Sequence, residues 1–245
     1  MKKIVIIPAF NEEKKIAGII CAIKSCCSDL DIVVVDDGSS DNTHGAAKLA
    51  GAISLKLPHN MGYGNALQAG YKYAYLQGYD IVLQMDGDGQ HDPAYIPAMI
   101  KTLIENDIDV LIGSRFKEKS GYKTSFARRA GILFFGLIVS AILKKRITDP
   151  TSGYQAIKSS VLPFLVSEAF PSDYPDADLI IMLHYEGFKV DEFAMKMKSD
   201  PRNKSMHKGI VTNIYYIFKM LMSIFLIIMS FKIFKGQKKR GAECH

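Results

Sequence analysis

Two carboxylates, Asp86 and Asp88, stand two residues apart with a glycine after each, and Gln90 and His91 follow. The glycines let the chain turn where the acids sit, so both side chains can converge. Two converging carboxylates beside an amide carbonyl make a half-shell of hard oxygen ligands. That set suits Mg²⁺ or Mn²⁺, with the remaining positions left to water and a substrate diphosphate. The same residues also read as a solvated acidic turn capping a helix that begins at Pro93. The surrounding elements decide between the two.

Ile81-Val82-Leu83, just before the acids, is an apolar run that reads as a buried strand. Further strands are expected at Lys3–Ile7, Asp31–Val35, Ala52–Leu57 and Asp109–Ile112. Helices are expected between them. One opens at Asn11-Glu12-Glu13 and carries Ile16, Ile19, Ile20 and Ile23 at helical spacing. Another is short, with Ser40 or Asp41 as its cap. The others cover Gly62–Gln77 and Pro93 to about Glu105. Apolar strands alternating with helices imply an α/β fold, a doubly wound, mostly parallel sheet with helices on both faces. Ligands of such sheets bind off the carboxyl ends of the strands. Pro8–Glu12, Asp36–Ser39, Asp86–His91 and Arg115 all fall at those ends, which favours a binding site over an incidental acidic turn.

The chain has 245 residues and is 48% hydrophobic, enough for one large domain with an appendage. Its charge is uneven. From Lys196 onward there are 11 Lys and Arg against 2 Asp and Glu, more positive than the whole chain's formal +6. A basic tail suits phosphate groups or an anionic membrane surface. No nucleic-acid module accompanies it, so no nucleic-acid partner is expected. Four cysteines, with Cys26 and Cys27 adjacent, fit neither a metal spacing nor a disulfide framework and read as reduced thiols. The N-terminal apolar run is short and broken by Pro8, as in a first strand and not a signal peptide.

In order along the chain, Pro8–Glu13, Val33–Thr43, Met85–Pro93, Gly113–Arg115 and Asp149–Tyr154 resemble the family-2 glycosyltransferases of GT-A (Rossmann-like) fold. Within them, the single-domain enzymes similar to dolichol-phosphate mannose synthase and bacterial polyprenyl-phosphate glycosyltransferases come nearest. The resemblance covers about the first 160 residues and continues more loosely to Ser205. It implies a nucleotide-diphosphate sugar donor, a divalent metal and inversion at the anomeric carbon. Pro8, Phe10 and Glu12 match positions that hold the base and ribose, with Phe10 where many relatives have Tyr. Asp37 matches the residue that hydrogen-bonds the base. Asp86, Asp88 and Gln90 match the metal and diphosphate cluster, Asp86 also touching the nucleotide. Tyr63 departs from a common pattern with Lys or Arg at its position.

A hydroxyl acceptor would need a general base, whereas a lipid phosphate is already an anion and needs mainly steering by Arg and Lys. The candidate base is Asp149, with Asp176 and Asp178 as alternatives. Asp149 also reads as a turn former before Pro150, and Asp178 as a helix N-terminal residue. Arg115, Arg128, Arg129, Arg202, Lys204, Ser205 and His207 are candidate phosphate or acceptor contacts.

Residues 126–146 read as a helix with basic ends around the uncharged stretch Ala130–Leu143. Those residues span roughly 21 Å, short of the ~30 Å hydrocarbon core, so the helix is expected in the membrane interface or packed on the domain. Ile210–Phe234 is apolar but interrupted by Lys219. It is expected to associate with a membrane or a second copy of the chain. Residues 1–205 then form the glycosyltransferase domain, and 206–245 a membrane-associating helix and basic tail. The expectation is an inverting hexosyltransferase acting on polyprenyl phosphate at the cytoplasmic face of a membrane, peripheral or held by a C-terminal anchor. The alternatives are transfer to a glycan hydroxyl and a silent sugar-nucleotide-binding protein.

Overall fold

The computed structural model describes residues 1–118, 126–197 and 210–242, with the main chain alone at 126–127, 210–214 and 232–242. Arg202, Lys204, Ser205 and His207 lie outside the described residues.

Among the described residues, seven strands form one sheet: β1 (Lys3–Ala9), β2 (Asp31–Asp36), β3 (Ile53–Lys56), β4 (Ile81–Gln84), β5 (Val110–Ser114), β6 (Gln155–Lys158) and β7 (Val190–Ala194). Their spatial order is β3-β2-β1-β4-β6-β5-β7. All neighbours are parallel except at β6, which runs antiparallel to both β4 and β5. The reversal brings residues 149–154 in at the same rim as the carboxyl ends of β1, β2, β4 and β5.

Alternation along the strands feeds two cores. Ile4, Ile6, Val33 and Val35 face one layer, which holds α3 (Tyr63–Leu76), α5 (Phe126–Leu143), α6 (Leu162–Leu165), α7 (Ala177–Tyr185) and α8 (Ile210–Ala242). Val5, Ile7 and Val34 face the other, which holds α1 (Glu13–Cys26), α2 (Thr43–Leu49) and α4 (Ile96–Glu105). The four expected α1 isoleucines are all buried. Each contributes about 1.5–3 kcal/mol of burial. The cap position of α2 is Asn42, not Ser40 or Asp41 as expected, and Asp41 accepts the Thr43 N–H (3.0 Å) from one residue earlier. The described cysteines are free.

α5 ends sooner than expected, where Lys144 adopts a left-handed conformation (φ 51°). It buries Ile132, Phe135 and Val139 and leaves Leu133, Phe134 and Leu137 exposed. Its neighbour α8 touches it through the Phe135 and Tyr216 rings, 6.1 Å apart. α8 docks on α7 and on the segment before it by one stripe. Tyr216 Oη donates to Asp176 (2.6 Å), Lys219 pairs with Asp173, and Ser223 Oγ donates to Asp178 (2.8 Å). Met220 and Ile224, interleaved with them, are buried. The opposite side exposes Phe218, Phe225 and Leu226 at about 60% each. No helix among the described residues is long and apolar enough to cross a membrane, so the C-terminal anchor, one of two expected arrangements, is not found among them.

Candidate active site

The loops leaving β1 and β2 are stitched together. Asn11 (φ 56°) accepts the Ser40 N–H at 2.9 Å, and its own N–H goes to Ser39 Oγ (2.9 Å). The Glu12 N–H reaches Thr43 Oγ1 (2.9 Å). Pro8 is buried within β1, Glu12 lies against Lys15, and Phe10 stands exposed at the rim. An exposed aromatic there is free of core packing and offers a stacking face.

Asp37 is buried just past β2. Its two oxygens accept the Met61 N–H (2.7 Å) and the Gly62 N–H (3.0 Å), so it pins the loop that starts α3. Gly38 (φ 68°) makes this possible, since a Cβ there would sit 2.4 Å from the His59 carbonyl carbon.

Asp86 and Asp88 do converge just past β4. Asp86 Oδ1 accepts from Tyr63 Oη (2.7 Å), and the Asp86 N–H donates to His91 Nδ1 (3.2 Å). His91 Nε2 lies 3.7 Å from Asp86 Oδ2, and the imidazole stacks on Tyr154 at 4.9 Å. Burial depresses His91 to about 4, so at neutral pH it is the uncharged tautomer with its proton on Nε2. Gly153 closes over Asp86, where an added Cβ would meet both carboxylate oxygens at 2.6 Å. Asp88 accepts the Gln90 N–H (2.9 Å) and Gln90 Nε2 (2.7 Å).

Burial raises Asp86, against the pull of the Tyr63 hydrogen bond, Arg115 and Arg128. Burial and then the Asp86 charge raise Asp88. Two desolvated carboxylates repelling each other, with an amide beside them, form a donor set of hard oxygens short of positive charge. That fits a divalent cation whose other ligands come from a diphosphate. No cluster of three or more acidic, His or Cys side chains able to hold a metal exists among the described residues.

Asp149 was expected as a base, and the geometry corrects this. It is fully buried, with Oδ2 taken by Arg115 Nε (2.6 Å) and Oδ1 by an Arg115 terminal nitrogen (2.6 Å). The Arg115 N–H adds a third bond to Oδ2 (3.0 Å), and the Asp149 N–H is held by Glu192 (2.7 Å). Neither oxygen is left to accept an acceptor's proton. Arg115, expected to bind phosphate, is committed to the same pair and only 3% exposed. Asp178 is likewise occupied. Its carboxylate takes the Leu179 N–H (2.8 Å) and the Ser223 hydroxyl, joining α7 to α8.

The remaining alternative fares better. Asp176 is half-buried beneath Tyr216, and burial, reinforced by Asp178 and Asp86, pushes it up to about 7. Arg128 and Arg129 are exposed at the start of α5. Arg128 is near enough to lower Asp86 through its charge.

Sequence reasoning passed over Gly153, His91 and the inward turn of Tyr63. It also missed the α8 stripe, although Tyr216, Lys219 and Ser223 are polar residues at helical spacing inside an apolar helix.

Residues 4–163 match the sequence profile described as Glycosyl transferase family 2. The UDP-N-acetylglucosamine–dolichyl-phosphate N-acetylglucosaminyltransferase of Methanococcus voltae is 28% identical over 242 residues, 91% of this chain and 95% of that one. The undecaprenyl-phosphate mannosyltransferase of Micrococcus luteus is 30% identical over 179 residues, 70% of this chain and 72% of that one. Among solved structures, glucosyl-3-phosphoglycerate synthase from Mycobacterium tuberculosis, in complex with Mn²⁺ and UDP-glucose, superposes with a TM-score of 0.68. It is 20% identical, covering 91% of this chain and 79% of that one. With the ordered motifs on one rim of a GT-A sheet, this chain is a glycosyltransferase and belongs to glycosyl transferase family 2.

Proposed function

We propose that this enzyme transfers a hexose, with inversion, from a nucleotide-diphosphate sugar to the phosphate of a polyprenyl phosphate at the cytoplasmic face of a membrane. The observation that carries the reading is the outer surface of α5 and α8, where Leu137, Phe218, Phe225 and Leu226 are exposed. Exposed apolar area of this kind, on a layer whose α5 begins with the exposed Arg128 and Arg129, suits a lipid whose phosphate is the nucleophile. The relatives named for dolichyl and undecaprenyl phosphates support the same acceptor class.

Asp86, Asp88 and Gln90 would hold Mg²⁺ or Mn²⁺. When bound, such a cation neutralises the diphosphate and stabilises it as a leaving group. Phe10 offers its ring to the base, while Asp37 fixes the loop that carries Tyr63. Arg128 draws the acceptor phosphate toward the sugar. An acceptor oxygen then bonds to the anomeric carbon from the face opposite the diphosphate as the carbon–oxygen bond to the nucleotide breaks. Arg115 and Asp149 hold the rim on which this happens.

Asp176 favours a second reading. A carboxylate near 7 is suited to taking a proton from a sugar hydroxyl, which a phosphate acceptor does not require. Incubating the enzyme with Mn²⁺, radiolabelled nucleotide sugars and polyprenyl phosphate decides between them. Label entering the organic phase for one donor, and lost in Asp88→Ala, supports lipid-phosphate transfer. Label found only in an added glycan rejects it in favour of the hydroxyl acceptor.

A further inference from the structure

Asp86 is supported from behind by three side chains in series, Tyr71 and Gln84 buried and Tyr63 half-buried. Tyr71 Oη lies 2.5 Å from Gln84 Oε1, Gln84 Nε2 lies 3.1 Å from Tyr63 Oη, and Tyr63 Oη lies 2.7 Å from Asp86 Oδ1. Tyr71 is wholly buried and Gln84 nearly so. Each hydroxyl has one proton to give, which fixes the direction of the series. The carboxylate is the strongest acceptor available to Tyr63, so the Tyr63 proton goes to Asp86 and its oxygen accepts from Gln84. Gln84 must then turn its amide nitrogen to Tyr63 and its carbonyl to Tyr71, whose proton completes the series. Burial holds the Tyr71 phenol well above its ordinary value.

The consequence falls on Asp86. Oδ1 is occupied by Tyr63, Oδ2 remains on the His91 side, and position 153 leaves room for the carboxylate only because it carries no Cβ. We propose that Tyr63 is a positioning residue for the donor's cation, holding Asp86 by Oδ1 so that Oδ2 alone is presented, with Gln84 and Tyr71 fixing Tyr63 in turn. The inference rests on the reading that Asp86 and Asp88 bind a divalent cation. Tyr63 here faces the carboxylate.

The test is Mn²⁺ binding by the full chain, followed as loss of the free-ion electron paramagnetic signal, with UDP and with GDP present. Nucleotide binding in EDTA is measured alongside. Tyr63→Phe is expected to weaken Mn²⁺ binding ~10- to 100-fold, as removal of an outer-shell partner of a ligand does, while metal-free nucleotide binding stays at the wild-type level. Tyr71→Phe, which breaks only the far end, is expected to weaken it by a smaller factor in the same direction. Mn²⁺ affinity unchanged in Tyr63→Phe, or lost in equal proportion with metal-free nucleotide binding, overturns the proposal. Should that variant not fold, unchanged affinity in Tyr71→Phe does so. A wild-type chain that binds no Mn²⁺ with either nucleotide overturns the cation reading itself, a result distinct from any change among the variants.

Discussion

Arg115 and Asp149 face each other fork to fork, both contacts at 2.6 Å, with their side chains 4% and 0% exposed. A buried pair of this kind is felt most when one member is removed, because the other is left as a buried charge without its counter-charge. Asp149→Ala is therefore expected to cost about 3–5 kcal/mol in urea unfolding. A stability equal to the wild type's, with activity alone abolished, would return Asp149 to the role of a base.

Gly153 lies so close to Asp86 that no side chain fits. Gly153→Ala places a Cβ 2.6 Å from both carboxylate oxygens, so Asp86 must move. Steady-state kinetics should give a drop in kcat/KM of at least about tenfold, on the scale set by displacing an active-site group by an ångström. Wild-type kinetics would mean that Asp86 is not held where donor binding needs it.

Asp176 carries a pH dependence of known sign. Burial raises it from its ordinary 3.8 to about 7, so between those values the folded chain keeps a proton that the unfolded chain has released. Its contribution to stability is full at low pH, falls as pH rises from about 4 to about 7, and is level above. Transfer to a hydroxyl acceptor should rise across the same upper limit. Tyr216→Phe removes the hydrogen bond that favours the ionised form and should move that rise to higher pH. A pH–rate profile identical in the two enzymes would exclude Asp176 as the base.

The outer face of α8 gives a separate prediction. Phe218→Ser combined with Phe225→Ser should weaken binding to vesicles containing anionic lipid by about tenfold or more per residue, since each ring contributes about 1.5–3 kcal/mol on leaving water. Vesicle flotation measures this directly. Flotation of the double variant equal to that of the parent would assign the face to a protein partner.

Much of the sheet can be read from periodicity. Ile16, Ile19, Ile20 and Ile23 declare α1, and the runs at Val33–Val35 and Ile81–Leu83 declare central strands, because local pattern and final burial agree there. β6 and β7 are four and five residues long with polar residues inside, and nothing in Gln155–Lys158 says that it runs against its neighbours. At the site, residue types were legible and their partners were not. Asp86, Asp88 and Gln90 sit within five residues, so turning the chain was enough to join them. Asp149 meets a guanidinium 34 residues earlier in the sequence, and Tyr63 meets a carboxylate 23 residues later. Such pairings follow from topology and not from spacing, which is why Asp149 reads as a base in one dimension and as half of an ion pair in three.

The polar stripe of α8 bears on how the enzyme can be prepared. Cutting the chain ahead of Ile210 to obtain a well-behaved catalytic fragment would take from Asp173, Asp176 and Asp178 the donors that α8 supplies and uncover the seats of Met220 and Ile224. The fragment would lose a wall and not merely a tether. Solubility is better sought by replacing Phe218, Phe225 and Leu226 with polar residues, which leaves the inner side of the helix in place. Detergents sort the same way, since one that coats the outer side spares the enzyme and one that wedges between α7 and α8 disables it.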